Sequence, residues 1–142
     1  MTFSMNEGIF RRNDIRGIAQ DDLTEAVVTA LGQAYGTVIR RAGGKRVSIG
    51  RDCRTSGVRI MDNFEMGVRS TGIDVVRLGV VPTPVLYFSL HRHSVDGGVI
   101  ITGSHNPPAW NGFKLCHGTN SIHGEGITEL RDLMRASDFE SG

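Results

Sequence analysis

The sequence predicts an α/β fold, a three-layer α/β/α sandwich with a mixed, mostly parallel sheet. Three observations carry that expectation. Short β-branched runs at 45–50, 73–78 and 95–101 alternate with segments of helical period. Each run ends in a glycine- or proline-containing turn, the punctuation that sends a strand into a crossover. The chain has 142 residues, 39% hydrophobic and 22% charged, which suits a soluble domain with its own core.

Taken in order, residues 8–18 open with the apolar pair Ile9-Phe10 and continue as a charged stretch, Arg11 to Arg16. This reads as a short strand turning into a loop that presents Arg16, with Gly17 permitting the turn. Residues 22–41 are the most regular helix. Leu23, Val27, Ala30, Leu31, Ala34, Val38 and Ile39 recur at three- and four-residue steps, Asp22 is placed to cap, and Gly43-Gly44 stops the run. A strand at 45–50 leads into Arg51-Asp52, and Thr55 or Ser56 can cap a helix reaching Ser70.

After the strand at 73–78, Thr83-Pro84 gives a helix entry, and Val85, Leu86, Phe88 and Leu90 predict a short, mostly buried helix ending near His93. The strand at 95–101 follows, then a short one at 113–116. Ile127, Leu130 and Leu133 mark a last helix at 125–135. One domain over 1–135 is expected, with 136–142 as the start of an interdomain linker or a frayed end.

Net charge is +1, so no bulk pull draws the chain to nucleic acid or anionic lipid. Neither partner is expected. The N-terminus lacks a basic segment followed by a long apolar run, and no stretch nears the roughly 20 apolar residues of a membrane helix. A cytoplasmic protein with Cys53 and Cys116 as free thiols is the expectation. His91 and His93 lie two apart, facing different sides of a helix, so they make poor joint metal ligands.

The stretch richest in chemistry is Thr102-Gly103-Ser104-His105-Asn106-Pro107-Pro108, where a buried strand stops at one serine. In α/β sheets ligands collect beyond the carboxyl ends of the strands. Ser104 can be a plain turn serine, a hydrolase nucleophile, or a carrier of a phosphoryl group. The second reading is weakened because the G-x-S-x-G elbow lacks its second glycine here. The third needs cations: Arg16, Arg51 and Lys114 are candidates, and His105 can add a hydrogen bond. Asn111-Gly112 suggests a tight turn that would fold Lys114 back onto the serine.

These motifs resemble a known family. Residues 102–114, T-G-S-H-N-P-P-A-W-N-G-F-K, look like the phosphoserine loop of the α-D-phosphohexomutases, in the phosphomannomutase/phosphoglucomutase branch. Residues 10–17, F-R-R-N-D-I-R-G, resemble that branch's N-terminal motif, and Gly50-Arg51-Asp52 and Pro82-Thr83-Pro84 agree in spacing.

The resemblance implies reversible phosphoryl transfer between O1 and O6 of a hexose phosphate, through phosphorylated Ser104 and a bisphosphosugar. Lys114 and His105 would share acid/base and hydrogen-bonding roles, and Arg16 would sit over the transferring phosphate. Arg16, Asn13, Ser104 and Lys114 would bind substrate. The resemblance implies Mg²⁺ held through the phosphate on Ser104 and three aspartates, with glucose 1,6-bisphosphate or a similar compound as activator.

The family's enzymes have four domains. This chain resembles the first alone, without the D-x-D-x-D metal loop of the second, the sugar-selecting loop of the third or the phosphate-clamping fourth. By itself it is expected to be nearly inactive, with self-association through an uncovered docking face as a possible state. Asn13 stands where an aromatic is common in the branch, and Trp110 where a tyrosine is usual. The alternative is a non-catalytic binding module that keeps the loop without its chemistry.

Overall fold

The computed structural model describes residues 3–142. One sheet, in the order β1-β5-β4-β2-β3, organises the chain. Its strands are β1 (Ile15–Ile18), β2 (Arg46–Arg51), β3 (Asp74–Val80), β4 (Gly97–Ile101), β5 (Trp110–His117) and a short β6 (Asn120–Ser121) paired with β5. β2 pairs in parallel with both β3 and β4, and β5 runs antiparallel between β4 and β1. β1 to β4 therefore all point the same way, which is the mixed, mostly co-directional sheet expected.

Helices cover both faces. On one lie α1 (Glu25–Arg41), α2 (Gly57–Ser70) and α4 (Glu125–Ala136); on the other lies α3 (Thr83–Arg92). Alternation along the strands divides the core accordingly. Val47, Ile49, Val99, Ile101, Phe113 and Leu115 pack with Leu31, Tyr35, Phe64 and Leu130 on the three-helix side. Ile100 and Cys116 face Leu86 and Leu90 of α3. α1 and α2 approach very closely: a Cβ on Gly67 would lie 2.2 Å from Thr29 O, and one on Gly32 would lie 2.3 Å from Phe64 O.

Several local expectations change. α1 begins three residues later than Asp22, with Thr24 as its cap through Oγ1 accepting from Val27 N at 3.4 Å. Asp22 serves the preceding turn instead, accepting from Ile18 N at 2.8 Å and from Asn6 Nδ2 at 3.0 Å. Ser56 stands at the start of α2 but makes no capping bond; its backbone is already helical, at φ −65° and ψ −19°, and its hydroxyl accepts from Asn111 Nδ2 at 2.9 Å. α3 buries Leu86 and Leu90, while Phe88 is 60% exposed and Val85 also reaches the surface. A lone helix on that face has only one side covered.

Two larger corrections concern the site. Arg16 and Gly17 lie within β1, opposite Gly112 and Asn111 of β5, so Arg16 is presented by a strand. Asn111-Gly112 likewise forms part of β5 and makes no turn; ladder pairing with β1 outweighs the local turn preference.

The C-terminal segment lies along α1 and α2. Glu140 N donates to Thr37 Oγ1 at 2.9 Å, Gly142 N to Ser70 O at 3.1 Å, and Arg40 Nη1 to Ser141 O at 2.7 Å, while Phe139 packs against the core. Among the described residues no helix is long and apolar enough to cross a membrane. Cys53 and Cys116 are free thiols.

Candidate active site

β4 ends at Ile101, and the chain leaves the sheet as the loop 102–109 before entering β5. Thr102 is still tied to β5, its N–H donating to Gly112 O at 3.0 Å. From there two tight turns form, Asn106 N to Gly103 O and Trp110 N to Pro107 O, both at 3.0 Å. Ser104 sits at the exposed tip with φ +53°, a left-handed conformation that a side chain disfavours by about 1 kcal/mol or more. Its N–H donates to Thr102 Oγ1 at 2.9 Å.

The neighbouring strand end supports this loop. Asp52, just beyond β2, accepts from Thr102 Oγ1 at 2.9 Å and from Gly103 N at 3.0 Å through one carboxylate oxygen. Arg54 donates from Nη2 to Ser104 O and Asn106 O at 3.0 and 2.7 Å, and from Nη1 to Pro107 O and Trp110 O at 2.6 and 3.2 Å. From the other side, Arg16 Nη1 donates to Gly103 O at 2.9 Å, and its Nε to Asp14 Oδ2 at 2.6 Å. That arginine is only 9% exposed, so its charge reaches the loop with little water between.

The expected site residues do not all gather at one point. Arg16 meets the Ser104 loop directly. Lys114 and Asn13 line one cleft of about 300 Å³ with Asp14, Tyr87, Ser121 and His123. Lys114 pairs with Ile100 and Arg16 with Gly112, so by strand alternation the two cations project from the same face of the sheet. His105 is exposed next to Ser104. Arg51 is the candidate cation that stands apart: its Nη1 donates to Asp52 O at 3.1 Å and its stem lies against Gly57, with no bond to the loop.

Asp52 and Arg54 are what sequence reasoning missed as working parts. Asp52 appears there at the end of a strand and within the spacing match Gly50-Arg51-Asp52, without a working role. The available signal was position: two charged residues directly after a central strand, at the sheet end where ligands bind. Among the described residues no group of three or more His, Cys, Asp or Glu side chains could hold a metal ion. These residues make no metal cage of their own.

The fold and site define an α/β/α sandwich domain whose strand-tip serine stands in a left-handed turn held by two arginines. The family follows from comparison. Residues 7–141 match the sequence model of the phosphoglucomutase/phosphomannomutase alpha/beta/alpha domain I, and the chain belongs to that family. It is 39% identical over 136 residues to the phosphoglucomutase of Neisseria gonorrhoeae, covering 96% of this chain and 30% of that protein. Identity is again 39%, over 134 residues, to the phosphomannomutase/phosphoglucomutase of Pseudomonas aeruginosa, with 94% and 29% covered. A crystal structure of a phosphoglucomutase/phosphomannomutase family protein from Burkholderia thailandensis superimposes with a TM-score of 0.94 at 37% identity, over 98% of this chain and 32% of that one. The chain thus spans about 30% of the length of these relatives.

Proposed function

We propose that this chain is the phosphoserine domain of a phosphomannomutase/phosphoglucomutase, an isomerase that moves phosphate between O1 and O6 of a hexose phosphate. The observation that carries the reading is Ser104, exposed at the tip of a rigidly supported loop, with Arg16 bonded to the adjacent carbonyl. A hydroxyl in that place can accept and release a phosphoryl group while fixed cations hold the charge.

In the forward step a sugar hydroxyl attacks phosphorus on Ser104 Oγ. The new P–O bond forms as the P–Oγ bond breaks, the hydroxyl proton leaves to a base, and Ser104 Oγ ends protonated. The bisphosphosugar then reorients and returns its other phosphate by the same exchange in reverse. Lys114, on the face that Arg16 shares, is the acid/base candidate, with His105 as hydrogen-bond donor and Arg16 as the cation over the transferring group. Asn13, in the Lys114 cleft, would touch the sugar. When bound, Mg²⁺ would offset charge on the phosphate; beyond phosphorylated Ser104 its ligands would come from outside this chain. Glucose 1,6-bisphosphate or a similar compound would prime the serine.

Under this reading residues 1–135 are domain I, 136–142 lead towards the next domain, and the isolated chain turns over very little. A chimera tests it. Placed in the Pseudomonas aeruginosa relative in exchange for its matching segment, the chain should support conversion of glucose 1-phosphate to glucose 6-phosphate in a coupled assay. Ser104→Ala should abolish that activity. A folded but inactive chimera would instead favour the binding-module reading, in which the loop is kept without its chemistry.

A further inference from the structure

We propose that Arg54 is the positioning residue of the serine loop: its single guanidinium sets the backbone that holds Ser104 in its left-handed turn. This rests on the reading of Ser104 as phosphoryl carrier.

The loop cannot support itself. Pro107 and Pro108 have no N–H to give, and the two internal turns leave most of its carbonyls without backbone partners. The carbonyls of Ser104 and Asn106 converge on Arg54 instead, together with that of Pro107 in the second turn and that of Trp110 at the start of β5. The Nε side faces Asp52 Oδ2 at 3.4 Å, the same oxygen that takes Thr102 Oγ1 and Gly103 N. Charge-assisted bonds spread over a planar fork cannot be copied by the point charge of a lysine.

The sequence makes room for this arrangement at one position. A Cβ on Gly103 would lie 2.1 Å from Arg54 Cζ and 2.2 Å from Nε, so the guanidinium occupies the space a side chain would take. Arg54 and its partner Asp52 are mostly buried, at 16% and 26% exposed. Arg54 therefore acts through the loop and not on the substrate. It turns four carbonyl oxygens to a fixed cation, and oxygens engaged this way repel a phosphoryl dianion on the same loop less strongly. Arg16 takes Gly103 O and Arg54 takes Ser104 O, so consecutive carbonyls are held from β1 and from the segment that follows β2.

Arg54→Ala and Arg54→Lys, made in this chain, test the proposal by amide hydrogen exchange. In Arg54→Ala the amides of Ser104, Asn106 and Trp110 should lose at least about tenfold protection, with those of Val47 and Ile49 unchanged. Free guanidinium should restore part of the loss, and lysine should rescue incompletely. Loop protection within about twofold of wild type in a folded Arg54→Ala protein would overturn the proposal, as would full rescue by lysine. If Arg54→Ala does not fold, Arg54→Lys and Asp52→Asn carry the same measurement, and unchanged loop exchange in both overturns it. In the chimera, Arg54→Lys should lower kcat by about tenfold or more and leave KM within about twofold. A KM effect alone would assign Arg54 to substrate binding and refute a positioning role. An inactive wild-type chimera would sink the carrier reading, while exchange in this chain would still decide whether Arg54 orders the loop.

Discussion

Gly103→Ala is the smallest change that should disturb the serine loop, and its effect can be worked from the geometry. Gly103 is not among the positive-φ glycines, so alanine meets no backbone penalty there. The new methyl would stand 2.1 Å from Arg54 Cζ, whereas ordinary contact begins at 3.4 Å, so the guanidinium must retreat by about 1.3 Å. Its four carbonyl bonds now measure 2.6 to 3.2 Å, and such a shift takes several of them beyond hydrogen-bonding reach. At about 1.5–3 kcal/mol for a bond to a charged group, with partial exposure and non-additivity reducing the sum, the expected loss is about 2–4 kcal/mol.

Urea denaturation would measure it. Gly118→Ala serves as the control, because it carries φ +61° with no atom within 4 Å of its Cβ and should cost only about 1 kcal/mol of backbone strain. A double-mutant cycle makes the test sharper: in an Arg54→Ala background, Gly103→Ala should cost less than about 0.5 kcal/mol. If Gly103→Ala is nearly neutral in the wild-type background, or equally costly in both, the steric reasoning is wrong.

Three further outcomes are expected. Ser104→Gly should abolish activity in the chimera yet stabilise this chain by up to about 1 kcal/mol, since glycine relieves the φ of +53°; a destabilised variant in thermal melts would show that Ser104 is not strained. Gly67→Ala should destabilise by about 1–3 kcal/mol in the same melts, because its methyl would lie 2.2 Å from backbone Thr29 O; an unchanged melting temperature would contradict the close helix crossing. Burial, then the nearby Cys116 thiolate, raise the pKa of Tyr35 well above 10.0, against a smaller opposing effect of the Gly98 backbone. The unfolded chain therefore loses this proton first, and stability should fall as pH rises past 10.0. Tyr35→Phe should remove that part of the alkaline slope, while costing about 1 kcal/mol at neutral pH for the lost bond to Cys116 O. An identical slope in both proteins would refute the assignment.

The layers of this domain are legible in the chain because they rest on local period. Leu31, Ala34 and Ile39 share a helix face by spacing alone, and Val99 to Ile101 reads as a buried strand from its β-branched run. The loop 102–108 is equally legible, since two prolines and a glycine around one serine admit few other readings. Local signals failed where distant pairing overrode them. Asn111-Gly112 carries a turn preference worth little beside its ladder with β1, and Arg16 looks like loop only while its partner in β5 is unknown. The exposure of Phe88 depends on α3 having no helical neighbour on its face of the sheet, which no periodicity reports.

The same division runs through the site. Local order along the chain is enough to put a serine at a strand tip with cations available. Which of those cations reach it depends on how the strands are arranged. Arg54 lies 50 residues before Ser104 and carries no local mark of its task. Its four carbonyl partners come within reach because β2 and β4 are parallel neighbours ending at the same edge. Strand order is set by how the whole core packs, a non-local quantity, and so the clamp on the serine becomes visible only once the sheet is assembled.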